Sequence, residues 1–204
     1  MAPGLERLWA PWRMTYIRRA AGPGGCLFCR TRRAREDRGP LVVHRGPHAL
    51  VMLNRYPYNP GHLMVAAGRH VASLAELEPA ERLALLDAVS LAERALAAEY
   101  RPQGMNLGAN LGRVAGAGFP GHLHLHLVPR WNGDTNFMPV IGGVKVLPES
   151  LERTWARLRR AFGALERGVR PAARRPAASR ARPAPRGPSP GSGGARGRAG
   201  GRRG

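Results

Sequence analysis

Lysine is almost missing from this sequence: Lys145 is the only one, and every other basic residue except the histidines is arginine. An arginine bias joined to abundant alanine, glycine and proline is what a GC-rich coding sequence tends to give, so it does not by itself point to nucleic acid. Acidic residues are also few, 13 against 33 lysines and arginines, for a formal net charge of +20. Cysteine is limited to Cys26 and Cys29. A pair so close in sequence cannot staple a fold, which excludes a disulfide scaffold. No apolar run is long enough for a signal peptide or a membrane span, so the expectation is a soluble cytoplasmic protein without membrane partners. No internal repeat is visible. No Gly-Lys-Ser/Thr follows a glycine loop, which excludes a P-loop.

What is present divides at about residue 166. Residues 1–166 carry apolar patterning enough for one domain with a real core. From Arg167 to Gly204 there are eleven arginines, no acidic residue and no aromatic residue. Arg, Pro, Ala, Gly and Ser dominate there, little could be buried, and the expectation is a disordered tail. Such a tail could bind a polyanion, nucleic acid included, with salt-sensitive affinity. Without aromatic residues it offers nothing on which bases would stack, and a passive extension is the simpler expectation.

Within the domain, Leu41–Val43 and Ala49–Leu53 are short apolar runs separated by Gly46-Pro47 and read as paired strands. Tyr56 to Gly61 is dense in turn residues, and His62–Ala66 reads as a third strand. Pro79–Tyr100 is the clearest helix. Pro79 suits its first turn, and Leu85, Val89, Ala92 and Leu96 share one face. Met105–Leu111 reads as another strand, Gly112–Gly121 as a loop, and Leu151, Trp155, Leu158, Phe162 and Leu165 as the stripe of a C-terminal helix. The segment after Cys29, up to Arg38, reads as a loop or short helix. Trp9 and Trp12 suggest an N-terminal segment that docks on the domain or on a second copy. The expected class is α+β: a five-stranded antiparallel sheet (about 41–45, 48–54, 61–68, 104–111 and 122–130) with one long helix and a C-terminal helix packed on it.

The most informative stretch is Gly121-His122-Leu123-His124-Leu125-His126-Leu127-Val128. Side chains on a strand alternate with period two, so His122, His124 and His126 face one way and the leucines the other. The leucine face reads as core and the histidine face as a site, because packing has no use for three adjacent imidazoles. Imidazole can be a nucleophile, a proton carrier or a metal ligand. The strand alone leaves these open.

Three further groups bear on that choice. Cys26-Leu27-Phe28-Cys29 supplies half of a tetrahedral zinc site, or a redox pair, or simple burial. If zinc, the other ligands would come from His70 and one of the strand histidines. Pro60-Gly61-His62 could place His62 beside the histidine strand, although a structural histidine fits equally. Asn106 to Gly112 and the glycines Gly116 and Gly118 could let backbone and amide donors approach a phosphate.

His-x-His-x-His followed by two apolar residues resembles the signature of the histidine triad (HIT) family of nucleotide hydrolases and transferases. Leu53-Asn54, Pro60-Gly61-His62-Leu63-Met64-Val65, Arg69-His70 and Asn110-Leu111-Gly112 fall in that family's order. Leu8 to Met14, and Pro129 to Pro148, resemble a bacterial branch related to diadenosine tetraphosphate phosphorylases. The likeness covers about residues 5–165. It implies that His124 is a nucleophile forming a nucleotidyl-imidazole, with water or phosphate releasing the nucleotide. It implies that His126 sits by the phosphate oxygens, that His62 borders the nucleophile, that Asn54 holds ribose hydroxyls and that Asn110 lies near the phosphate. It further implies a zinc ion closed by Cys26, Cys29, His70 and His122, structural rather than catalytic, no organic cofactor, and a homodimer. One departure stands out. Where several branches place Gln or Ser three or four residues before the triad, this sequence has Phe119 and Gly118, which offer no side-chain hydrogen bond to a leaving group, so the likeness does not fix the substrate.

The leading expectation is therefore an enzyme cleaving nucleoside phosphates, such as dinucleoside polyphosphates, as a hydrolase or a phosphorylase. Two alternatives stay open. One is a metalloenzyme whose triad holds a catalytic zinc. The other is a nucleotide- or polyanion-binding module without turnover.

Overall fold

The computed structural model describes residues 25–135 and 146–168. Expectations for the Trp9/Trp12 segment, for residues 136–145 and for the tail beyond 168 lie outside the described residues. Three helices and five strands make up the rest: α1 (Leu27–Arg33), β1 (Val42–Arg45), β2 (Ala49–Leu53), β3 (Leu63–Ala67), α2 (Pro79–Tyr100), β4 (Gly104–Gly108), β5 (His124–Arg130) and α3 (Leu151–Glu166), with a 3₁₀ turn at Leu74–Glu76. The strands form one sheet in the order β1-β2-β3-β5-β4, and every neighbouring pair is antiparallel. The α+β expectation therefore holds.

Alternation along the strands feeds two apolar layers. Val51, Leu53, Leu63, Val65, Leu125 and Leu127 face α2 and α3, where they meet Leu85, Val89, Leu96, Leu158 and Phe162. On the other face Leu50, Met52, Met64 and Ala66 pack under Phe28 of α1. Strands covered on both faces need apolar residues at nearly every position, and β2 and β3 are buried throughout. Burying one such leucine is worth roughly 1.5–3 kcal/mol.

Local chemistry sets the helix ends. Glu78 and Glu81 form a reciprocal capping box at the start of α2, with Pro79 at its first position. Arg101 closes the helix with a positive φ of 45°. Ser150 caps α3 by accepting from the Arg153 N–H. β1 is an edge strand, and α3 covers it: Trp155 Nε1 donates to the Val42 carbonyl at 2.7 Å, and Arg159 to the Val43 carbonyl at 3.0 Å. Those bonds satisfy groups that would otherwise invite another strand.

Two strand boundaries are shorter than the sequence pattern suggests. β4 stops at Gly108, so Asn110 lies in the following loop. β5 starts at His124, because the ladder with β3 begins at the Ala66–His124 pair. His122 thus lies outside the regular strand. Its carbonyl is taken by the His124 side chain, not by a neighbouring strand. The short helix α1 also begins before the arginine-rich segment that follows Cys29, and it includes Cys29 itself.

Candidate functional site

β3 and β5 bring the site histidines together. Gly61 turns the chain into β3 with φ +81°, a conformation suited to glycine, and a Cβ there would press on Leu96 at 3.0 Å. The next residue, His62, is fully buried and its Nε2 lies 3.0 Å from His126 Nδ1. His124 is one step along β5, its ring centroid 5.0 Å from that of His126. Phe28 from α1 covers the other side of His124 at 4.7 Å and touches His122 at 5.0 Å.

Hydrogen bonds fix which nitrogen of each neutral ring carries its proton. His124 Nδ1 donates to the His122 carbonyl at 2.8 Å, so its Nε2 presents a lone pair. Burial holds His124 below the ordinary histidine pKa, partly offset by that hydrogen bond, and this favours the neutral ring. His62 is arranged the other way. The Tyr58 N–H can only donate, and it points at His62 Nδ1 from 3.1 Å, with the Asn54 side-chain amide at 3.5 Å. The proton of neutral His62 therefore sits on Nε2 and is donated to His126 Nδ1. That leaves the proton of neutral His126 on its own Nε2.

A second cluster joins α1 to the start of the histidine segment. Atoms of Cys26, Cys29, His70 and His122 all lie within 4.8 Å of one another. His122 Nδ1 is 3.2 Å from Cys26 Sγ, 3.6 Å from Cys29 Sγ and 3.3 Å from His70 Nδ1, and Cys29 Sγ is 3.4 Å from His70 Nδ1. On its far side His122 Nε2 donates to the Ala67 carbonyl at 2.9 Å, which turns the Nδ1 lone pair toward the sulfurs. Burial lowers the His122 pKa and raises that of the Cys29 thiol, with Cys26 adding to the rise. Among the described residues this is the only such cluster, and it includes neither His124 nor His126.

Beyond His126 opens a cavity of about 540 Å³ lined by Tyr58, Asn59, Asn106, Leu107, Gly108, Ala109, Asn110, His126, Val128 and Arg130. Asn110 and His126 meet there. Asn54 does not line it; it is buried behind His62 and accepts from the Tyr56 N–H. The Gly116 N–H is used within its own loop, donating to the Arg113 carbonyl at 3.0 Å. Ala117 N–H likewise reaches the Gly112 carbonyl.

Residues 38–133 match the family model of the HIT domain. The chain is 42% identical over 169 residues to a protein named AP-4-A phosphorylase from Mycobacterium tuberculosis, covering 75% of this chain and 86% of that one. This chain belongs to the HIT family. Among solved structures, a zinc-bound histidine triad family protein from Mycobacterium smegmatis superposes with a TM-score of 0.56 at 26% identity, over 72% of this chain and 99% of that one. A uridylyltransferase mutant gives 0.57 at 20% identity over 78% of this chain and 55% of that one, a likeness of fold alone.

Within this HIT chain, several residues at the site carry no signal in the sequence pattern. Phe28 reads only as a spacer between two cysteines, yet it packs on His124. Tyr58 and Asn59 read only as turn residues and Arg130 as part of a longer run, whereas Asn106 stands among the amide donors that the sequence offers to a phosphate. The Asn59-Pro60-Gly61 turn, next to a site histidine, is the one local hint that its neighbours would matter.

Proposed function

We propose that the protein is a nucleotide-processing enzyme that cleaves dinucleoside polyphosphates through His124. The observation that carries this reading is the His124 ring itself. It is buried, held in one tautomer by the His122 carbonyl, and flanked by a histidine whose proton sits on the opposite nitrogen. In the first step the His124 Nε2 lone pair attacks an α-phosphorus. The bond to the leaving phosphate oxygen breaks, and a nucleotidyl-imidazole forms. His126 donates from Nε2 to a phosphoryl oxygen as charge develops. In the second step water or inorganic phosphate attacks the same phosphorus, and His124 leaves with its electron pair. The cavity beside His126 accommodates the departing polyphosphate, with Asn110 as a donor, while Asn54 serves the ribose. Gly116 and Gly118 complete the loop around the phosphates by close backbone approach.

The second cluster fits zinc as a closed structural site. Tetrahedral bonds of about 2.0–2.3 Å place nitrogen–nitrogen and nitrogen–sulfur ligand pairs about 3.3–3.6 Å apart, and those separations given above run from 3.2 to 3.6 Å. The Ala67 carbonyl orients His122 as an outer-shell acceptor orients a metal-binding imidazole. Cys26, Cys29, His70 and His122 would hold the ion, which supplies cross-linking of α1 to the histidine segment and no reacting water. With His122 committed to that cluster, the reading in which all three triad histidines share one catalytic metal loses its geometry.

The relative named a phosphorylase supports phosphate as the second acceptor. A homodimer belongs to the same reading, and light scattering would register twice the 22.1 kDa chain mass. The functional test is product analysis with diadenosine tetraphosphate, with and without inorganic phosphate. ADP formed only with phosphate marks a phosphorylase, and AMP plus ATP marks a hydrolase. Turnover to neither pair overturns the reading.

A further inference from the structure

Asn59 is an amide buried to 3% exposure in the loop between β2 and β3, and the two-step chemistry gives it no task. Its Nδ2 donates to the Pro129 carbonyl of β5 at 2.8 Å and to Asp134 Oδ2 at 2.8 Å. Asp134 also accepts from Arg130 Nε at 2.6 Å and from the Trp131 N–H at 3.2 Å. Arg130 leads these partners in holding the Asp134 carboxyl well below the usual carboxylate range. The same guanidinium reaches Asn106 of β4 at 2.9 Å. One amide therefore fastens the loop to the end of the histidine strand and, through Asp134 and Arg130, to the edge strand.

The other side of Asn59 faces His62. The Asn59 carbonyl accepts from the His62 N–H at 3.1 Å. The preceding residue, Tyr58, aims its N–H at His62 Nδ1, and its ring lies 4.8 Å from the His62 ring. Where this loop sits therefore decides whether the Tyr58 N–H, the nearer of two donors beside the Asn54 amide at 3.5 Å, faces His62 Nδ1. That donor keeps the proton on His62 Nε2, facing His126.

We propose that Asn59, anchored by Asp134, is a positioning residue that holds the Tyr58 N–H on His62 and so keeps His126 oriented for catalysis. The inference rests on the proposed role of His126 at the phosphate. Alanine at position 59 leaves the Pro129 carbonyl and the Asp134 carboxylate each without its amide donor, and the loop loses these side-chain ties to β5 and to the turn after it.

Two readouts separate this from a fold-only role or a ligand contact. The first is the set of imidazole ¹⁵N shifts of the full-length, metal-loaded protein without substrate. Wild type shows an unprotonated Nδ1 and a protonated Nε2 at His62. Asn59→Ala moves both His62 signals toward the average of the two tautomers and leaves those of His124 in place. The second is turnover of diadenosine tetraphosphate with phosphate. In Asn59→Ala, kcat falls about tenfold while KM stays within about twofold. Asp134→Ala, in a more exposed turn, shows the same shifts to a smaller extent and serves if Asn59→Ala does not fold. Unchanged His62 signals in a folded variant overturn the proposal, as does a raised KM with unchanged kcat, which marks Asn59 as a ligand contact. The spectra need no substrate, so a wild type that fails to turn over diadenosine tetraphosphate refutes the proposed function and leaves the positioning claim to be judged on the shifts.

Discussion

His124 and His126 are neighbours on one strand face, yet their hydrogen bonds point their protons at opposite ends. His124 donates a hydrogen bond to a carbonyl through Nδ1, which leaves the lone pair on Nε2. His126 accepts one from His62 at Nδ1, which leaves its own proton on Nε2. The account assigns the first to bond making and the second to charge stabilisation, so their variants should fail differently. His126→Ala should slow adduct formation by about 10²–10³-fold, the usual cost of one lost donor to a developing charge; rapid quench of the first turnover checks this. Both residues, and His62, Cys26, Cys29, His70 and His122, were legible in the sequence as candidates, because spacing and residue type mark them; only the likeness to the HIT family divided them between two sites. The tautomers were not, since they depend on the Tyr58 N–H and the His122 carbonyl, groups that every residue has. Asn59 and Asp134 were illegible for a related reason: an amide and a carboxylate in turns are ordinary until the fold brings them within 2.8 Å.

At the scale of elements, period-two and 3.6-residue patterns were enough to place β1, β2, β3, β5 and the two main helices, because burial enforces them; β4 is exposed along most of its length and carries a weaker pattern. Ends were harder. β5 begins two residues later than the alternation suggests, since the His122 carbonyl is diverted to a side chain. The short helix α1 has no long apolar stripe and owes its place to Phe28 and the cysteines. Zinc should stabilise that place. Cys29→Ser should lower zinc content, measured by elemental analysis, and reduce stability by at least about 2 kcal/mol, with a smaller change in turnover per folded molecule. The start of α2 makes a separate prediction. Arg69 and the Glu78 N–H bring Glu81 down to about 2 from an ordinary 4.5. A carboxyl whose pKa is lower folded than unfolded adds stability above its unfolded value and loses it as pH falls toward the folded one. Glu81→Gln should therefore cost stability at pH 6 and nearly nothing at pH 2, as read by thermal unfolding. Because the pair is exposed to solvent, the cost at pH 6 should shrink with added salt.

For the whole molecule, the sheet order places β5 between β3 and β4, so His126 borders both the β2–β3 loop and the cavity along β4. The strand order was not legible in the sequence, because nothing local tells β5 to insert between β3 and β4. No helix among the described residues is long and apolar enough to cross a membrane. The arginine-rich segment 167–204 follows, in sequence, every residue assigned to the chemistry. Its deletion should leave kcat and KM for diadenosine tetraphosphate within about twofold, and a larger loss would show that the segment takes part in substrate capture. The central claim, a covalent nucleotide on His124, has a direct measurement: intact mass of the protein quenched in acid-free denaturant during turnover of an adenylylated substrate. The account predicts an added adenylyl group in the wild type and in His126→Ala, and none in His124→Ala. An adduct that persists in His124→Ala, or efficient turnover by that variant, would contradict it.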